Sequence, residues 1–385
     1  MRMSLALTGL AAVAVNASCK GRSAATATGS SSAASTGTSS GSLSYGNGTL
    51  ASGAAAHDAA PSSVSSSSAA AAATSASSSS VKTSSKAATS AANSGIKGFN
   101  YGAFFLNQQA LTQTDFEAEF NRAQNLPGTS GWNSARLYTM IEWGTANSVI
   151  PAIPAAIATQ TTLLLGLWIS GGDAAITNEL AALESAIATY GTAFTDLVVG
   201  ISVGSEDLYR DANNEVGTTA TYLMDCISKV RSAIADTALS AVPVGHVDTY
   251  DSFLNSTNTA VIDAIDWIGF DGYPYWETAL PNSIDDANER FYSGYNKTMA
   301  LANGKPVYVT ETGWPTTGDD QNLAVASAEN ARKYWQTIAC SLVDSNINIW
   351  WYNLQESQYG TATPDFGVYG AGDLSQLDPL YDLSC

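Results

Sequence analysis

The sequence is poor in histidine, cysteine and positive charge, and each shortage excludes a class of function. Its 385 residues include only two histidines, His57 and His246, which excludes a histidine-rich metal site and leaves few choices for a Ser-His-Asp triad. The four cysteines form no Cys-x-x-Cys pair, so we expect no structural zinc site. With 34 acidic against 16 basic residues the formal net charge is −18, which argues against nucleic acid as a partner, because phosphate binding needs a Lys/Arg-rich surface.

Long apolar runs are also missing. The longest near the start, Leu5–Val15, is too short to cross a bilayer comfortably, and no other run approaches the roughly twenty residues that a membrane-spanning helix needs. It follows Arg2 and ends in small residues, Val15-Asn16-Ala17, of the kind that a signal peptidase reads. We therefore predict a secretory signal peptide at residues 1–17 and an extracellular protein.

Aromatic and acidic residues are nearly absent from the segment that follows. Residues 18–95 consist mainly of serine, threonine and alanine, with one aromatic residue, Tyr45, and one acidic residue, Asp58. Such a segment cannot bury enough apolar surface to offset its chain entropy. We predict an O-glycosylated stalk there, with a plain disordered linker as the alternative. Asn-x-Ser/Thr patterns predict N-glycosylation at Asn47, Asn255 and Asn296.

The rest of the chain has the composition of a folded domain. Residues 96–385 contain all nine tryptophans and alternate short apolar or aromatic runs with longer helical patterns. Near-continuous apolar runs are typical of strands that are buried on both faces. Eight such runs occur, at 98–105, 134–140, 161–170, 197–206, 241–250, 265–276, 305–315 and 346–356.

Helical periodicity fills the spaces between these runs. Ile176, Leu180, Leu183 and Ile187 fall on one face of a predicted helix, and later segments repeat the pattern. Eight strands that alternate with helices predict an α/β fold, the (β/α)8 TIM barrel. An open, doubly wound sheet is the second interpretation, but no Gly-rich phosphate turn follows the first run.

Reactive side chains follow several of the predicted strands. In a (β/α)8 barrel the C-terminal strand ends meet at one rim, where catalytic groups lie. Glu206 ends the fourth run and Glu311 lies near the end of the seventh, and a pair of carboxylates across a cleft is what glycosidic-bond cleavage needs. Aromatic residues near the strand ends suit the apolar faces of sugar rings. For single aromatics such as Trp168 and Trp350, core packing is the competing interpretation.

Five motifs give residues 98–385 a family resemblance. They are Gly98-Phe99-Asn100-Tyr101-Gly102, Ser134-Ala135-Arg136-Leu137-Tyr138, Val203-Gly204-Ser205-Glu206-Asp207-Leu208-Tyr209-Arg210, Gly245-His246-Val247-Asp248-Thr249 and Thr310-Glu311-Thr312-Gly313-Trp314-Pro315. A chain with these motifs in this order resembles glycoside hydrolase family 17, and most closely its fungal cell-wall glucan endo-1,3-β-glucosidases and glucanosyltransferases.

The resemblance implies a retaining glycosidase with Glu206 as general acid/base and Glu311 as nucleophile. Their carboxyl groups should then lie about 5–5.5 Å apart. The implied substrate is β-1,3-glucan of the cell wall, cleaved at internal bonds by hydrolysis, or remodelled when a second glucan accepts the chain. No metal or cofactor is implied. Further substrate contacts are expected at Tyr101, Tyr138, Ser205, Asp248, Tyr250, Tyr273, Trp314 and Glu356.

Two details of the resemblance concern Ser205 and the cysteines. Many family members carry Asn at the position of Ser205, where it contacts the sugar 2-hydroxyl, whereas the fungal subgroup commonly has Ser. Fungal relatives often end in a cysteine, which implies a disulfide between Cys340 and Cys385. Cys226 falls on the apolar face of its predicted helix and is expected to be a buried free thiol.

Some alternatives remain open in the sequence. A wall mannoprotein or adhesin that binds glucan without cutting it would also carry a stalk. A homologue that had lost its catalytic activity, however, would usually lack one of the two glutamates. A related barrel could cleave β-1,4-mannan or β-1,4-glucan. His246 could tune a cleft acid, but a lone histidine on a buried strand is more often a core residue with satisfied hydrogen bonds. Nothing argues for an interface, so we expect a monomer.

Overall fold

The structure, a computed structural model, describes residues 95–385. The predicted signal peptide, residues 18–94 of the predicted stalk and the Asn47 site lie outside the described residues. The strands of the described part are β1 (Lys97–Tyr101), β2 (Trp132–Leu137), β3 (Thr162–Leu167), β4 (Val198–Ser205), β5 (Val244–Thr249), β6 (Trp267–Asp271), β7 (Val307–Glu311) and β8 (Ile349–Trp351).

These strands form one closed, parallel barrel. Each strand pairs with the next along the chain, and β1 closes the barrel against β8, so that Gly98 lies opposite both Ser134 and Trp350. The predicted (β/α)8 architecture is therefore confirmed, and the open-sheet interpretation is wrong. Closure matters for function because the C-terminal ends of all strands, with the side chains that follow them, lie at one rim.

Helices connect the strands and cover the outside of the barrel. In the part of the chain that the structure describes they are α1 (Gln113–Gln124), α2 (Ala152–Thr159), α3 (Asp173–Tyr190), α4 (Thr192–Thr195), α5 (Asp207–Ala212), α6 (Ala220–Ile234), α7 (Tyr250–Leu254), α8 (Thr259–Ala264), α9 (Ala287–Leu301), α10 (Ala328–Tyr334) and α11 (Cys340–Asp344). A π-helical turn, Trp335–Ala339, joins α10 to α11.

Helix α6 illustrates how local sequence sets an outer helix. The Thr219 hydroxyl caps its first turn by accepting a hydrogen bond from the Tyr222 N–H. Apolar residues then recur at helical spacing and bury one face against the barrel, Leu223 and Val230 among them. Cys226 lies on the same face as a buried free thiol.

A hydrophobic cluster fills the barrel interior beneath the rim. Its buried members are Leu164, Val247, Trp267, Tyr308 and Trp350. Trp267 stacks on Tyr308 with ring centroids 4.8 Å apart. Gly245 leaves room for this indole, since a Cβ there would lie 2.3 Å from Cε2 of Trp267. Trp350 is thus a core residue. The packed cluster closes the barrel interior beneath the C-terminal ends of the strands.

The C-terminal segment is fixed to the outside of the barrel. Cys340 of α11 and Cys385 form a disulfide with their Cα atoms 5.4 Å apart. The Trp335 indole N–H also donates a hydrogen bond to the Leu383 carbonyl across 2.9 Å. Within residues 95–385 no helix has both the length and the apolar character to span a membrane.

Two of the predicted N-glycosylation sites lie on the described surface. Asn255 follows α7 and Asn296 lies on α9, and both side chains are exposed. The hydroxyl residue of the second site, Thr298, is fully buried in the helix, where it donates to the Gly294 carbonyl. Glycosylation of either asparagine remains a prediction.

Candidate active site

Glu311, the last residue of β7, is held by three hydrogen-bond donors at the barrel rim. Its Oε1 accepts hydrogen bonds from the Arg136 guanidinium at 2.6 Å and from the Tyr138 hydroxyl at 2.8 Å. Its Oε2 accepts one from the Tyr273 hydroxyl at 2.8 Å. Hydrogen bonds of this kind stabilise an ionised carboxylate and fix its orientation. The side chain is nevertheless not sealed off, because 8 % of Glu311 remains exposed.

Arg136 on β2 connects four strands of the barrel. Besides the ion pair with Glu311, its Nη1 donates to Asn100 Oδ1 at 2.6 Å and its Nη2 donates to Ser205 Oγ at 2.9 Å. The guanidinium also lies over the Tyr138 ring, 4.6 Å from its centroid. A rigid planar fork can hold several partners in one geometry. Arg136 therefore aligns the ends of β1, β2, β4 and β7 around the Glu311 carboxylate.

Glu206 follows β4 at a sharp backbone turn. Its φ of 55° lies in the left-handed region, as does the φ of 75° at Gly204 two residues earlier. The Glu206 N–H is tied to the Val247 carbonyl at 2.8 Å, which keeps the turn attached to β5. Its carboxylate forms an ion pair with Arg210, one turn further along α5, at 3.0 Å. The turn directs the chain out of the strand and into α5.

The environment of Glu206 favours its protonated form. Burial raises the pKa of this carboxyl above its ordinary value; the Arg210 charge opposes the shift, and the negative charges of Glu311 and Asp248 reinforce it. The rim thus contains two carboxyl groups in different surroundings. Glu311 accepts hydrogen bonds from three donors, whereas burial raises the pKa of Glu206.

Asp248 and His246 of β5 support the turn at Glu206 from below. Asp248 accepts hydrogen bonds from the N–H groups of Leu208 and Thr249 at 3.0 and 2.8 Å. The His246 nitrogens lie 3.1 Å from the Asp248 carboxylate and 2.8 Å from the Val203 carbonyl. Because a carbonyl and a carboxylate can only accept, this arrangement suits a charged imidazole in which both ring nitrogens donate.

These contacts decide between the sequence interpretations of β5. His246 is fully buried with both ring nitrogens in hydrogen bonds, as expected for a core residue. Burial by itself lowers the pKa of this imidazole, but the hydrogen bond and charge of Asp248, with the charge of Asp207, raise it above its ordinary value. Asp248, which was expected to contact substrate, is fully buried instead, because its oxygens hold the backbone of the Glu206 turn.

A third carboxyl group, Asp271 at the end of β6, lies beneath the pair. Its Oδ1 accepts a hydrogen bond from the Thr310 hydroxyl at 2.7 Å. Its Oδ2 is buried and has no hydrogen-bond partner among the described residues. Burial raises the pKa of Asp271 well above its ordinary value, and the charges of Glu311 and Glu206 add to that shift.

Glu356 lies beyond β8 and joins the site through Tyr352. The Tyr352 hydroxyl is 3.5 Å from Glu356 Oε1, and the Phe366 N–H donates to its Oε2 at 3.3 Å. Burial raises the pKa of Glu356 to about 7, against the lowering effect of these two donors. The Tyr352 ring packs edge-on against that of Tyr273 at 6.1 Å, so the two residues belong to one aromatic wall.

Tyr101 lies on the wrong face of β1 for the substrate contact expected of it. Side chains alternate along a strand, and in β1 it is Asn100 that points inward, where its Nδ2 donates to the carbonyls of Thr310 and Trp350 at 3.0 Å each. Tyr101 points outward and packs edge-on against Phe120 of α1 at 5.0 Å. The expectation for Tyr101 is therefore wrong.

Tyr250 and Trp314 are also absent from the Glu206–Glu311 site. Tyr250 begins α7, and the Lys297 ammonium of α9 lies 4.8 Å from its ring centroid, which places the ring between two outer helices. Trp314 is fully buried; its indole N–H donates to the Val325 carbonyl at 2.9 Å, and its ring packs against Tyr275. Both positions follow strand ends in sequence, but their side chains are used for packing.

The structure therefore joins part of the predicted set and adds to it. Arg136 joins Glu311 to Ser205, and Tyr138 and Tyr273 donate to Glu311, while Glu206 lies close enough for the charge of Glu311 to raise its pKa. The added residues are Asn100, Arg136 and Tyr352. Asn100 and Arg136 stand inside quoted motifs, and the signal that could have identified them is a polar residue within an otherwise apolar strand, since such a residue needs a buried partner.

The comparisons with known proteins show which family the chain belongs to. A family model described as the BtgE/BtgC glycoside hydrolase domain matches residues 98–368. The curated protein named "Probable glucan endo-1,3-beta-glucosidase eglC" from Aspergillus oryzae is 55% identical over 300 residues, which are 76% of this chain and 64% of that protein. The "Glucan 1,3-beta-glucosidase" of Saccharomyces cerevisiae is 26% identical over 268 residues, 66% of this chain and 79% of that protein. The match thus spans less than two thirds of the Aspergillus relative's length.

Solved structures resemble the barrel as well. A glycoside hydrolase family 17 β-1,3-glucanosyltransferase from Rhizomucor miehei has 26% sequence identity and a TM-score of 0.62, covering 76% of this chain and 99% of that one. An active-site mutant of the Rhizomucor enzyme, solved in complex with laminaritriose, has 25% identity and a TM-score of 0.61. These matches confirm the resemblance given by the five motifs. Because the family model spans the barrel that carries the two glutamates, the chain belongs to the BtgE/BtgC glycoside hydrolase family.

Proposed function

We propose that this protein cleaves internal β-1,3-glucosidic bonds of glucan with retention of anomeric configuration. Glu311 acts as the nucleophile and Glu206 as the general acid/base. The observation that carries the proposal is the contrast between the two carboxyl groups: Glu311 accepts three hydrogen bonds, whereas burial raises the pKa of Glu206. A carboxylate that three donors hold in place, beside a buried carboxyl group with a raised pKa, suits one nucleophile and one acid.

The reaction then proceeds by two displacements. In the first, an oxygen of Glu311 bonds to the anomeric carbon, the bond from that carbon to the glycosidic oxygen breaks, and Glu206 gives its proton to the departing oxygen. In the second, an acceptor hydroxyl attacks the anomeric carbon, the bond to Glu311 breaks, and the acceptor proton passes to Glu206. Two inversions give retention, for which the carboxyl groups must lie about 5–5.5 Å apart.

The surrounding side chains have distinct parts in this mechanism. Tyr138 and Arg136 both donate to Oε1 of Glu311, so Oε2, which accepts from Tyr273, is the oxygen better placed to attack. The Ser205 hydroxyl accepts from Arg136 and keeps its own proton for a sugar hydroxyl. Glu356 and Tyr352 extend the polar wall along the cleft.

The choice of β-1,3-glucan rests on the relatives. The Aspergillus oryzae relative is named for endo-1,3-β-glucosidase activity, and the Rhizomucor miehei mutant was solved with laminaritriose. The Rhizomucor enzyme is named as a glucanosyltransferase, which favours a second candidate activity, transfer to the hydroxyl of another glucan chain. Both activities use the same two glutamates and differ in the acceptor. We further propose that the protein is secreted and acts on cell-wall glucan as a monomer.

A time course on reduced laminari-oligosaccharides tests this function. Wild type should give products shorter than the substrate, and Glu311→Ala and Glu206→Gln should each abolish them. Products longer than the substrate that appear early would identify the transferase. Glu184→Gln, an exposed glutamate on α3, serves as the matched control and should act like wild type.

The opposite results are equally clear. A folded wild type without turnover on this substrate would contradict the proposal and favour the glucan-binding wall protein, for which binding without cleavage is the expected signature. Cleavage of β-1,4-mannan or β-1,4-glucan in preference to laminarin would contradict the linkage alone. The presence of both glutamates supports the catalytic proposal over the non-catalytic alternative.

A further inference from the structure

Arg210 forms an ion pair with the carboxyl group that the proposed mechanism requires to give up a proton first. Its Nη2 lies 3.0 Å from Glu206 Oε2, one helical turn along α5, and the two side chains are 21% and 11% exposed. A guanidinium favours the ionised form of a carboxyl group and cannot itself be deprotonated. In the first displacement Arg210 therefore works against Glu206.

The geometry of the turn makes this contact a feature of the fold. Glu206 adopts a left-handed φ of 55°, and the Arg210 N–H donates to the Glu206 carbonyl at 2.9 Å in the first turn of α5. The other acidic neighbour of Arg210, Glu215, is 3.8 Å away with its side chain 43% exposed. Arg210 thus spans from a solvated partner to a buried one, and the closer contact is the one with Glu206.

The second displacement has the opposite requirement. After the first step Glu206 has lost its proton, and it must stay ionised until the acceptor hydroxyl arrives. The ionisable groups that face it from neighbouring elements are Arg210 on α5, Arg136 on β2, Asp248 on β5, Asp271 on β6, Glu311 on β7 and Tyr352 after β8. Arg210 is the cation among them that directly contacts the Glu206 carboxylate.

We propose that Arg210 is a positioning residue for the second displacement, holding the ionised Glu206 carboxylate in place to accept the proton of the incoming acceptor. The inference rests on the proposed function and deepens it. Arg210 acts on the base and not on the acceptor. It therefore speeds hydrolysis and transfer alike and leaves their ratio unchanged.

The test separates the two displacements with two substrates. A 2,4-dinitrophenyl β-laminaribioside needs no proton donor for its leaving group, so its turnover reports the second displacement, whereas laminari-oligosaccharides need both. Arg210→Leu should lower kcat on the aryl substrate about tenfold to a hundredfold, a part of the roughly 10²–10⁴-fold that general acid–base assistance contributes. KM should fall with kcat, because the glycosyl-enzyme accumulates.

Turnover in the presence of azide distinguishes a role in the second displacement from a merely structural role. It attacks the anomeric carbon and breaks the bond to Glu311 without delivering a proton, so it needs no base. Azide should therefore restore turnover of Arg210→Leu, with a β-glycosyl azide as product, and should leave wild type little changed. The charge of Arg210 lowers the pKa of Glu206. In Arg210→Leu the alkaline limb of the pH profile on laminari-oligosaccharides should therefore move to higher pH.

Matched variants keep the test decisive. Arg210→Lys retains the charge and should keep most of the second-step rate, and Arg210→Gln replaces Arg210→Leu where the latter does not fold. Arg231→Leu removes another arginine ion pair, the one at 2.9 Å between Arg231 on α6 and Asp266 just before β6, and should match wild type.

Three results would overturn the inference while the proposed function stands. The first is a wild-type second-step rate in folded Arg210→Leu, and the second is loss of that rate without azide rescue. The third is a changed ratio of transfer to hydrolysis, which would make Arg210 an acceptor-binding residue. Wild type that turns over neither substrate would instead contradict the proposed function itself.

Discussion

The Tyr273 hydroxyl donates a hydrogen bond to Oε2 of Glu311 across 2.8 Å, so a residue that follows β6 controls the orientation of the carboxylate that ends β7. The two strands are hydrogen-bonded neighbours, with Asp271 opposite Glu311 in the register. A phenol two residues past that position can therefore reach over the carboxylate. The contact links the pairing of two strands directly to the chemistry at the rim.

We predict that Tyr273→Phe lowers kcat/KM on laminarin about tenfold to a hundredfold, because a hydrogen bond to a charged group is lost at Oε2. Initial rates over a range of substrate concentrations measure it. Tyr101→Phe is the control, since the Tyr101 ring packs on α1 away from the site, and it should change kcat/KM less than about twofold. Equal losses in the two variants would contradict the structural assignment of both tyrosines.

The raised pKa of Glu206 predicts an alkaline limit to activity. The first displacement needs the protonated carboxyl group, so kcat/KM should fall as pH rises through that pKa, which burial and the charge of Glu311 place above the ordinary range of a glutamate. A pH profile of kcat/KM from pH 3 to 10 measures the limb. Glu206→Gln should leave no such limb in its residual activity on an aryl glycoside with a good leaving group.

A limb that persists unchanged in Glu206→Gln would assign the titration to another group, and Glu356, whose pKa burial raises to about 7, would be the next candidate. Glu356→Gln therefore serves as the comparison variant. It should keep the position of the alkaline limb that is assigned to Glu206.

His246 predicts a pH dependence of stability. Its folded-state pKa is raised by Asp248 above the unfolded value, so the stability from the charged pair is fully present below the unfolded pKa of about 6.5 and is lost as pH rises through the folded pKa. His246→Gln should lower the free energy of unfolding at pH 6 by about 3 kcal/mol, because it leaves the buried Asp248 without its partner.

Urea unfolding at a series of pH values measures this effect. The difference between wild type and His246→Gln should be largest at low pH and shrink toward pH 9. A difference that is constant with pH would show that the imidazole is neutral in the folded protein and that only packing was lost.

The disulfide predicts a second stability effect. Cys340 and Cys385 are 45 residues apart, and closing a loop of that length constrains the unfolded chain by about 4 kcal/mol in the chain-entropy estimate. The free energy of unfolding of the Cys340→Ala/Cys385→Ala variant should be lower by that amount, so it should unfold at a lower urea concentration. Its kcat/KM should not change. Cys226→Ala, which removes the free thiol without a bridge, is the control for cysteine loss. Loss of kcat/KM in a folded double variant would show that the C-terminal segment reaches the site.

The barrel could be predicted from the sequence because its signals are local. Buried parallel strands appear as apolar runs, the helices between them have a clear period, and eight repeats leave little choice of topology. Glu206 and Glu311 could be singled out from the sequence for the same reason, since each lies at or near the end of an apolar run. The Cys340–Cys385 pairing followed from the family resemblance.

The errors in the site have one physical cause. Position after a strand end does not fix where a side chain points: Tyr250 and Trp314 satisfy the sequence criterion but pack against helices and loops. The substrate contact expected of Tyr101 was wrong because side chains alternate along β1, and the neighbouring Asn100 is the one that points inward. The role of Arg136 in the site was not predicted, because its partners lie on other strands and come next to it only in the closed barrel. Contacts between distant strands are thus the part that sequence patterns do not contain.

Asp271 gives a last prediction, in which a carboxyl group near the site is neutral. Its Oδ2 is buried without a partner and two other carboxyl groups lie close by, and both features oppose a charge. Asp271→Asn should therefore keep kcat/KM within about threefold, because an amide reproduces a neutral acid that accepts from Thr310. Its folded-state pKa lies above the unfolded value, so wild type loses stability as pH rises while Asp271→Asn does not.

Kinetics and urea unfolding between pH 4 and 8 measure both effects, and the stability advantage of Asp271→Asn should grow with pH. Asp173→Asn is the control of opposite sign: this aspartate is exposed, and hydrogen bonds from Lys229 and Tyr222 lower its pKa, so its replacement should give no gain at higher pH. A folded Asp271→Asn that loses activity a hundredfold would show that Asp271 works as a carboxylate. The charge of the site would then be one unit more negative, and Arg136 would have to balance two anions.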